Sequence, residues 1–417
     1  MTTRITTQNI TDATITTTDI ATSVPLGTDW QSVKTSNFTA VASKGYPVNT
    51  TSGAITVTLP SSPSVGDFVE LVDYAGTSSS NNIIIAPNGS KIKSGTANVN
   101  VSNARQGTKL VYVDTTQGWI TTSDSNAGST AVDVPSYSVG YLVIAGGGSG
   151  KGYGGGGAGG YRTSEGTSGG GASAESTLTL SSGTSYTVTV GAGGAASSSS
   201  YNNGSNSVFA TITSTGGGHG GAVGGSGGGA DNHNNNGAAG TSSQGYAGGD
   251  GENSGAPPYL GGGGGGAGQA GQNGVAGTKA GNGGNGVANS ITGSAVTRAG
   301  GGGGGAYLPQ GSTQGGTGGN GNQGNGGAWH SASTGGSHAY IGQNGEANKG
   351  GGGGSGVGYT NQSGQGNGLS GGSGIVIIKY PQAQSLTIGS GLTHSTATVG
   401  SNKVTSFTAG TDTISIG

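Results

Sequence analysis

A chain of 417 residues is long enough for two or three domains, but only 29% of its residues are hydrophobic and 7% are charged, which excludes large conventional cores. The net charge of -2, without a basic run, gives no electrostatic basis for binding nucleic acid or an anionic membrane. Because cysteine is absent, disulfides and thiolate metal sites are excluded, and stability must come from backbone pairing, packing or oligomerisation.

The first 27 residues contain no apolar core of a signal peptide, and no apolar run in the chain approaches the roughly 20 residues of a membrane span. Isoleucine recurs at positions 5, 10, 15 and 20. This spacing fits neither the helix period nor strand alternation, so a single chain cannot bury these side chains on one face. Parallel copies of the chain around a three-fold axis could bury them together. Residues 1–27 are therefore predicted to attach or trimerise the protein. A flexible tail is the alternative reading.

Residues 28–125 contain short alternating runs that are separated by turn signals, and they predict a small β-sandwich or barrel. The expected role of this domain is a spacer. The predicted strands are Ala54–Pro60, Asp67–Val72, Asn82–Ile85 and Lys109–Val113, with turns at Pro63–Gly66 and Pro87–Gly89.

After a polar linker, residues 126–140, the composition changes to glycine. Of the 100 glycines, 84 lie in residues 146–374. Apolar strands are predicted on entry and exit, at Tyr141–Ala145 and Ile375–Tyr380. Further predicted strands are Ser176–Leu180 and Ser185–Val190, joined as a hairpin by residues 181–184, and Ser207–Thr213. Together these five strands predict a β-frame around the glycine tract.

Four explanations compete for the glycine tract. A flexible linker needs far fewer residues and would not return to an apolar strand. Collagen needs glycine at every third position and abundant proline, and a calcium-binding β-roll needs repeated nonapeptides, none of which the sequence contains. A bundle of extended polyglycine-II helices remains, because glycine leaves the backbone free to hydrogen-bond outward on all sides. Disorder is the open alternative.

In the bundle, the glycine blocks are the predicted helices, and the residues between them are connectors at the bundle ends. The blocks are residues 146–160, 216–229, 261–268, 281–286, 300–305, 315–327, 350–358 and 364–374. The bundle and its frame form a predicted glycine-rich domain, residues 141–381, followed by a short terminal β-element, residues 382–417. Since almost no segment has helical apolar spacing, the predicted fold is all-β, with a small β-sandwich, a β-framed glycine-rich domain and almost no α-helix.

Several segments resemble the glycine-rich domain of phage tail-fibre proteins, and also the polyglycine-sandwich adhesins at the long-fibre tips of T-even-like phages. They are Tyr141–Gly148 (YLVIAGGG), Tyr186–Gly194 (YTVTVGAGG), Gly204–Gly218, Ser290–Gly305 and Gly371–Pro381 (GGSGIVIIKYP). The resemblance implies an elongated multidomain fibre protein of the virion, in which loops between polyglycine helices contact a host receptor. Glycine tracts of this kind also occur in bacterial surface proteins.

The sequence matches to catalytic motifs are matches that a glycine-rich composition produces by chance. Residues 146–151 imitate a phosphate-binding loop, but no Ser or Thr follows Lys151 and no helix is expected there. Residues 224–228 match G-x-S-x-G without the required strand before and helix after. The five histidines lack metal-ligand spacing, and Asp250 with Glu252 is a solvated turn rather than a glycosidase pair. We therefore predict no enzymatic activity, no metal and no cofactor.

A receptor-binding function is better supported than catalysis, because the two longest connectors, residues 230–260 and 328–349, contain many of the aromatic and histidine side chains of the glycine-rich tract. Aromatic residues on anchored loops suit the recognition of a receptor or glycan, although they could also cap the bundle ends. The candidate receptor-binding residues are His233, Tyr246, Tyr259, Trp329, His330, His338 and Tyr340. The expected partners are a host outer-membrane protein or glycan, other tail or baseplate proteins bound through the N-terminus, and further copies in a homotrimer.

Overall fold

The computed structural model describes residues 27–124, 134–196, 200–231, 236–252, 259–276, 278–308, 315–321, 328–331, 337–340, 342–356 and 368–417. The isoleucine-containing part of the predicted attachment segment and most of the predicted linker lie outside these residues. The chain divides into an N-terminal unit, Met1–Pro135, and a C-terminal unit, Ser136–Gly417. The described residues contain β-strands, one 3-10 turn at Gly169–Gly171 and no α-helix, so the prediction of an all-β fold is confirmed.

The described residues of the N-terminal unit form two sheets, and the first six strands alternate between them. One sheet has the order β1-β3-β5-β8-β9 and the other β2-β4-β6-β7. The strands are β1 (Asp29–Trp30), β2 (Phe38–Thr39), β3 (Lys44–Val48), β4 (Ile55–Thr58), β5 (Phe68–Asp73), β6 (Ile83–Ala86), β7 (Val99–Val101), β8 (Gly107–Asp114) and β9 (Gly118–Asp124).

The first six strands pair in parallel with the strand two positions along the chain, as in the coils of a β-solenoid. β1 pairs with β3 and β3 with β5 in one sheet, while β2 pairs with β4 and β4 with β6 in the other. The predicted turn at Pro63–Gly66 therefore carries the chain to the opposite sheet rather than into a hairpin. The predicted turn at Pro87–Gly89 is present, with Asn88 and Gly89 at positive φ and the Ser90 amide donating to the Pro87 carbonyl.

One core cluster joins both sheets of this unit, which shows that the sheets face each other. Along β4, β5 and β6 buried and half-buried residues alternate, as expected for strands with one face toward a core. The cluster includes Val57 and Ile85 of one sheet and Leu71, Leu110 and Trp119 of the other, all at most 1% exposed.

The described residues of the C-terminal unit form a ten-stranded sheet, here called the frame, and two smaller groups of strands. The frame has the order β11-β10-β22-β25-β13-β14-β15, with β12 on β10 and both β23 and β24 on β25. Its strands are β10 (Ser136–Ile144), β11 (Tyr161–Thr163), β12 (Leu178–Ser181), β13 (Tyr186–Thr189), β14 (Ser207–Phe209), β15 (Ile212–Ser214), β22 (Ile375–Pro381), β23 (Leu386–Ile388), β24 (Leu392–Val399) and β25 (Asn402–Ile416).

The entry and exit strands of the glycine tract pair with each other, as the two apolar runs suggested. β10 and β22 are antiparallel, with Ile144 opposite Ile375 and Gly140 opposite Lys379. Both faces of these strands are buried: Tyr141, Val143, Val376 and Ile378 pack into one cluster, while the alternate residues pack into a second cluster that includes alanines of the glycine tract. Burial on both faces explains the continuous apolar sequence of the two strands.

Other details of the frame differ from the sequence predictions. The predicted hairpin across residues 181–184 is wrong, because β12 pairs with β10 and β13 pairs with β14 and β25. The single strand predicted at Ser207–Thr213 is two strands that turn at Ala210, whose φ is 50°. The terminal residues 382–417 lie in this same sheet, since β25 pairs with β13, β22, β23 and β24.

The glycine segments hydrogen-bond to their neighbours with a period of three residues. In residues 145–151, the amides of residues 145, 148 and 151 donate to the segment 154–160. The amides of 146 and 149 donate to 202–205, and those of 147 and 150 donate to 369–372. Three residues per turn without internal hydrogen bonds is the polyproline-II geometry, in which successive amides point in three directions. The described glycine segments that hydrogen-bond in this way are thus polyglycine-II helices, and we call their array the glycine bundle.

The segment 261–266 shows the packing of an inner helix, because it hydrogen-bonds to six other segments. Its amides donate to three neighbours and its carbonyls accept from three more, with N···O distances of 2.8 to 3.1 Å. This arrangement leaves no backbone polar group along the helix without a partner, which is what burial of a backbone requires. The donors of 261–266 reach 227–230, 269–272 and 302–305, and its carbonyls accept from 155–158, 246–249 and 281–284.

Two predicted helices and one predicted connector are corrected. Residues 146–160 are two antiparallel helices that reverse at Lys151–Gly154, where Gly152 has a φ of 51°, and residues 216–229 likewise reverse near Gly221. Part of the connector 230–260 is itself a helix of the bundle, residues 246–249. Glycine accommodates both the extended helix and the reversal, so composition alone could not separate them.

Candidate functional site

A small four-stranded sheet joins residues from the two connectors that the sequence singled out. Its order is β16-β19-β20-β21, and we call it the aromatic sheet. β16 is antiparallel to β19, β19 is parallel to β20, and β20 is antiparallel to β21. Its strands are β16 (Tyr259–Leu260), β19 (Ala306–Leu308), β20 (Ala328–Ser331) and β21 (Ser337–Tyr340). The other small group of strands in the described part of this unit is an antiparallel pair, β17 (Val287–Asn289) and β18 (Val296–Arg298).

One cross-strand row of the aromatic sheet brings three aromatic residues into register. Tyr259 is opposite Tyr307, Tyr307 is opposite Trp329, and Trp329 is opposite Ala339. Tyr340 is opposite Ala328, one row away. Residues far apart in the chain are adjacent here because the glycine bundle aligns the segments that carry them.

The tyrosine rings of this row stack on each other and on a third ring. The centroids of Tyr259 and Tyr307 are 5.7 Å apart with an interplanar angle of 22°, and those of Tyr153 and Tyr259 are 5.9 Å apart with an angle of 51°. Offset and tilted contacts at these distances are attractive. Tyr259 and Tyr307 are half-buried, so each ring keeps part of its surface in contact with solvent.

Tyr153 anchors this ring cluster to the bundle. It is only 1% exposed and lies in the reversal at Lys151–Gly154. Its carbonyl accepts from the Gly305 amide at 2.7 Å, and its own amide donates to an Asp231 carboxylate oxygen at 3.3 Å. Burial, with smaller contributions from Asp231, Tyr307 and Tyr259, raises the pKa of Tyr153, so its hydroxyl stays protonated. Among the described residues that hydroxyl has no hydrogen-bond partner.

The sequence missed Tyr153 and Tyr307, although a signal for Tyr307 exists. Tyr259 comes two residues before the block 261–266, and Tyr307 comes two residues after the block 300–305. Because these two helices are antiparallel, with the Gly261 amide bonded to the Gly305 carbonyl, the two tyrosines meet at the same end. Aromatic residues at opposite borders of two glycine blocks therefore predict a contact.

Two of the remaining candidate residues lie in this sheet, and one lies in a helix of the bundle. His330 is opposite His338 across β20 and β21. Tyr246 lies in a bundle helix, and its amide donates to the Gly266 carbonyl. Since Tyr259 borders the other end of the same block, Tyr246 is separated from the aromatic sheet by roughly 15 Å of polyglycine-II helix. His233 lies outside the described residues.

The motifs that imitate catalytic sites occupy structural positions. Residues 146–150 form an extended bundle helix, and the Ser226 amide of the G-x-S-x-G match donates to the Ala158 carbonyl. Asp250 accepts from the Gly237 amide at 2.8 Å and contacts the Asn273 side chain. Across the described part of the chain, no group of three or more His, Cys, Asp or Glu residues is placed to hold a metal ion. Within those same ranges, no helix has the length and apolar character to cross a membrane.

The fold and the bundle define the class as an all-β, glycine-rich protein. A family model described as "Glycine-rich domain" matches residues 121–381. Since the match covers more than half of the chain, the chain belongs to this glycine-rich domain family. A search of curated proteins finds no match to the chain.

Proposed function

We propose that the protein is a phage tail-fibre or receptor-binding protein that adheres to the host cell surface through aromatic residues on the glycine bundle. The observation that carries the proposal is the aromatic sheet, in which Tyr259, Tyr307 and Trp329 share one cross-strand row. The bundle supports it because a rigid backbone array holds these residues at fixed positions before a receptor arrives. Binding then requires little ordering of the site.

The aromatic sheet suits recognition rather than catalysis. Aromatic rings contribute a large contact area with few rotatable bonds, and they are enriched at the centres of binding interfaces. The half-buried rings of Tyr259 and Tyr307 are held by their mutual stacking and by Tyr153. A host outer-membrane protein or a surface glycan is the proposed receptor class, and the proposal assigns the protein no enzymatic role.

The other regions then have mechanical roles. Residues 1–27 would attach the protein to tail or baseplate proteins and form a homotrimer, and residues 28–125 would act as a spacer. With several copies on one virion, weak individual contacts combine through effective concentration. The virion is accordingly the proposed location, with the glycine-rich domain facing outward.

A structural role without receptor binding is the competing proposal, either in a virion fibre or on a bacterial surface. The stacking of the tyrosine rings favours it, because tyrosines that only cover the ends of glycine helices would stack in the same way. Under this proposal the protein neither binds cells nor competes with an infecting phage.

Cell adsorption separates the two proposals. Labelled full-length protein is incubated with a panel of bacterial strains, and saturable binding is measured for wild type and for the double variant Trp329→Ala with Tyr340→Ala. We expect the double variant to bind at least about tenfold more weakly, as for a loss of central interface aromatics. Trp30→Ala is the matched control, since Trp30 is 48% exposed in the N-terminal unit. Absence of binding by wild type would favour the structural role, and equal binding by the double variant would remove the aromatic sheet from the proposal.

A further inference from the structure

An open groove crosses the surface of the glycine bundle in a region outside the aromatic sheet. Its volume is about 460 Å³, within the range of small-molecule sites. The groove is lined by three stretches of chain near residues 203–206, 223–224 and 239–241, and by Thr215 and Gly216. The groove is distinct from the aromatic sheet in sequence and contains none of its residues.

The lining contains no charged side chain. Ten residues line the groove, and all are Asn, Thr, Gly, Ala or Val. A charged ligand would lose hydration here without gaining an opposite charge, so phosphates, metal ions and ionic peptides are poorly matched. The ligand class that fits is neutral.

The polar side chains of the lining are held in place by backbone contacts. The Asn203 carbonyl oxygen accepts from the His219 amide at 2.9 Å, and its NH₂ group donates to the Val223 carbonyl at 3.3 Å. The Asn206 carbonyl oxygen accepts from the Gly216 amide at 2.8 Å. The Thr241 hydroxyl donates to the Gly224 carbonyl at 2.9 Å and keeps its lone pairs for an incoming donor. These side chains offer hydrogen bonds to a ligand without first having to be ordered.

The NH₂ group of Asn206 is a donor that remains available, because only its carbonyl oxygen has a partner among the described residues. Fixed donors and acceptors around a neutral groove match a ligand that carries several hydroxyl groups. Val223, which is 66% exposed, adds a small apolar surface against which the C–H face of a ring can pack.

The width of the groove is fixed by close backbone contacts around its glycines. A Cβ at Gly216 would lie 1.8 Å from the Gly204 carbonyl oxygen, and one at Gly224 would lie 2.0 Å from the Gly218 amide nitrogen. The groove therefore has a shape set by the helix array itself, and a ligand can approach the backbone where no side chain intervenes.

We propose that this groove binds a neutral saccharide residue. The proposal rests on the proposed function in one respect, since it names a glycan as the class of surface receptor that the bundle contacts. A single saccharide on an open groove is expected to bind with a dissociation constant on the order of 1 mM.

Saturation-transfer NMR on the full-length protein tests the groove directly. The probes are methyl glycosides of glucose, galactose, mannose, rhamnose and N-acetylglucosamine. We expect transfer to at least one of them, and loss of that signal in Val223→Trp, which places an indole over the groove from an exposed position. Val275→Trp is the matched control, because Val275 is 49% exposed and does not line the groove.

A second variant guards against an indirect effect of the tryptophan. Asn206→Asp keeps an acceptor for the Gly216 amide but removes the NH₂ donor, and it should lower saccharide affinity at least about tenfold. The proposal is overturned if no glycoside gives a signal with wild type, or if the signal survives both groove variants. Cell adsorption is scored separately: saccharide binding by a protein that adsorbs to no strain would support the groove while removing the receptor role.

Discussion

The N-terminal unit is held together by side chains, whereas the glycine bundle is held together by backbone. In the N-terminal unit, Trp119, Leu110 and Ile85 fill the space between two sheets and are fully buried. In the bundle, the helix 261–266 has no side chain at all and is surrounded by six other backbones. Protein interiors in general need close packing and paired backbone polar groups, and the packing is provided by side chains in the first region and by backbone in the second.

The comparison shows that the Cβ atom has opposite effects in the two regions. Between the sheets of the N-terminal unit, added carbon atoms supply the buried apolar surface that stabilises the fold. Between polyglycine helices a single added carbon prevents the approach of the next backbone and breaks its hydrogen bonds. Glycine is expensive to order, so only the complete set of mutual bonds offsets the entropy lost on folding.

The largest expected effect is therefore the addition of one methyl group to the bundle. In Gly264→Ala the new Cβ would lie 1.9 Å from the Gly156 carbonyl oxygen, and backbone on every side prevents a local shift. We expect a loss of more than about 4 kcal/mol, enough to abolish the ordered bundle. Amide hydrogen exchange across residues 261–305 measures it, since these amides should be strongly protected in wild type and exchange fast in the variant.

The matched control adds the same methyl group to the N-terminal unit. At Gly107 in β8 the nearest atom to a new Cβ is the Leu71 carbonyl oxygen at 3.7 Å, an ordinary contact. Gly107→Ala should change stability by less than about 1 kcal/mol. Native-like protection of residues 261–305 in Gly264→Ala would contradict the close-packed bundle.

The reverse change, removal of carbon atoms, should affect the N-terminal unit. Ile85→Ala empties part of the core between the sheets, where Ile85 is fully buried. The expected loss is about 2 to 5 kcal/mol from lost transfer free energy and the remaining cavity. Chemical denaturation followed by the fluorescence of the buried Trp119 measures it. Val65→Ala, at a position that is 76% exposed, should stay within about 0.5 kcal/mol, and equal losses in both variants would refute the side-chain account.

The features of the fold that the sequence could predict are those for which composition leaves few physical alternatives. The strands Tyr141–Ala145 and Ile375–Tyr380 were recognisable because continuous apolar runs need burial on both faces. Polyglycine-II geometry could be reached by eliminating linker, collagen and β-roll. In both cases composition limits the physical options to a few.

The register between neighbouring segments and the positions of the chain reversals could not be predicted, because no local sequence signal encodes them here. The reversal at Lys151–Gly154 lies within one uninterrupted glycine-rich block, and the alternation of β4 and β5 between sheets uses the same turn residues as a hairpin. The aromatic sheet depends on both kinds of information. Tyr259 and Trp329 were singled out by residue type, but their shared row depends on which helices are neighbours.

The smallest expected effect concerns charge, and it also separates the two regions. Asp73 in β5 is only 3% exposed, and its carboxylate accepts from the amides of Gly76, Thr77, Ser78 and Arg105 and from the Ser78 hydroxyl, at 2.9 to 3.3 Å. Burial alone would raise the pKa of Asp73, but the bonds from Arg105, Ser78 and Thr77 outweigh it and lower the pKa below the usual 3.8. The carboxylate therefore stabilises the N-terminal unit above pH 3.8, and this contribution is lost as the pH falls through the lowered pKa.

Asp73→Asn makes this contribution measurable, because the amide keeps the shape but replaces one acceptor with a donor that faces N–H groups. We expect the variant to be about 1 to 3 kcal/mol less stable at pH 7, with the difference narrowing below pH 3.8 as the wild type becomes protonated. Denaturation of both proteins across this range measures the difference. The helix 261–266 contains no titratable group, so its exchange protection, corrected for the intrinsic pH dependence of amide exchange, should stay constant over the same range. A gap that stays constant down to about pH 2 would show that the Asp73 charge does not stabilise the N-terminal unit. Bundle protection that falls with the same midpoint would show that charge acts on the bundle as well.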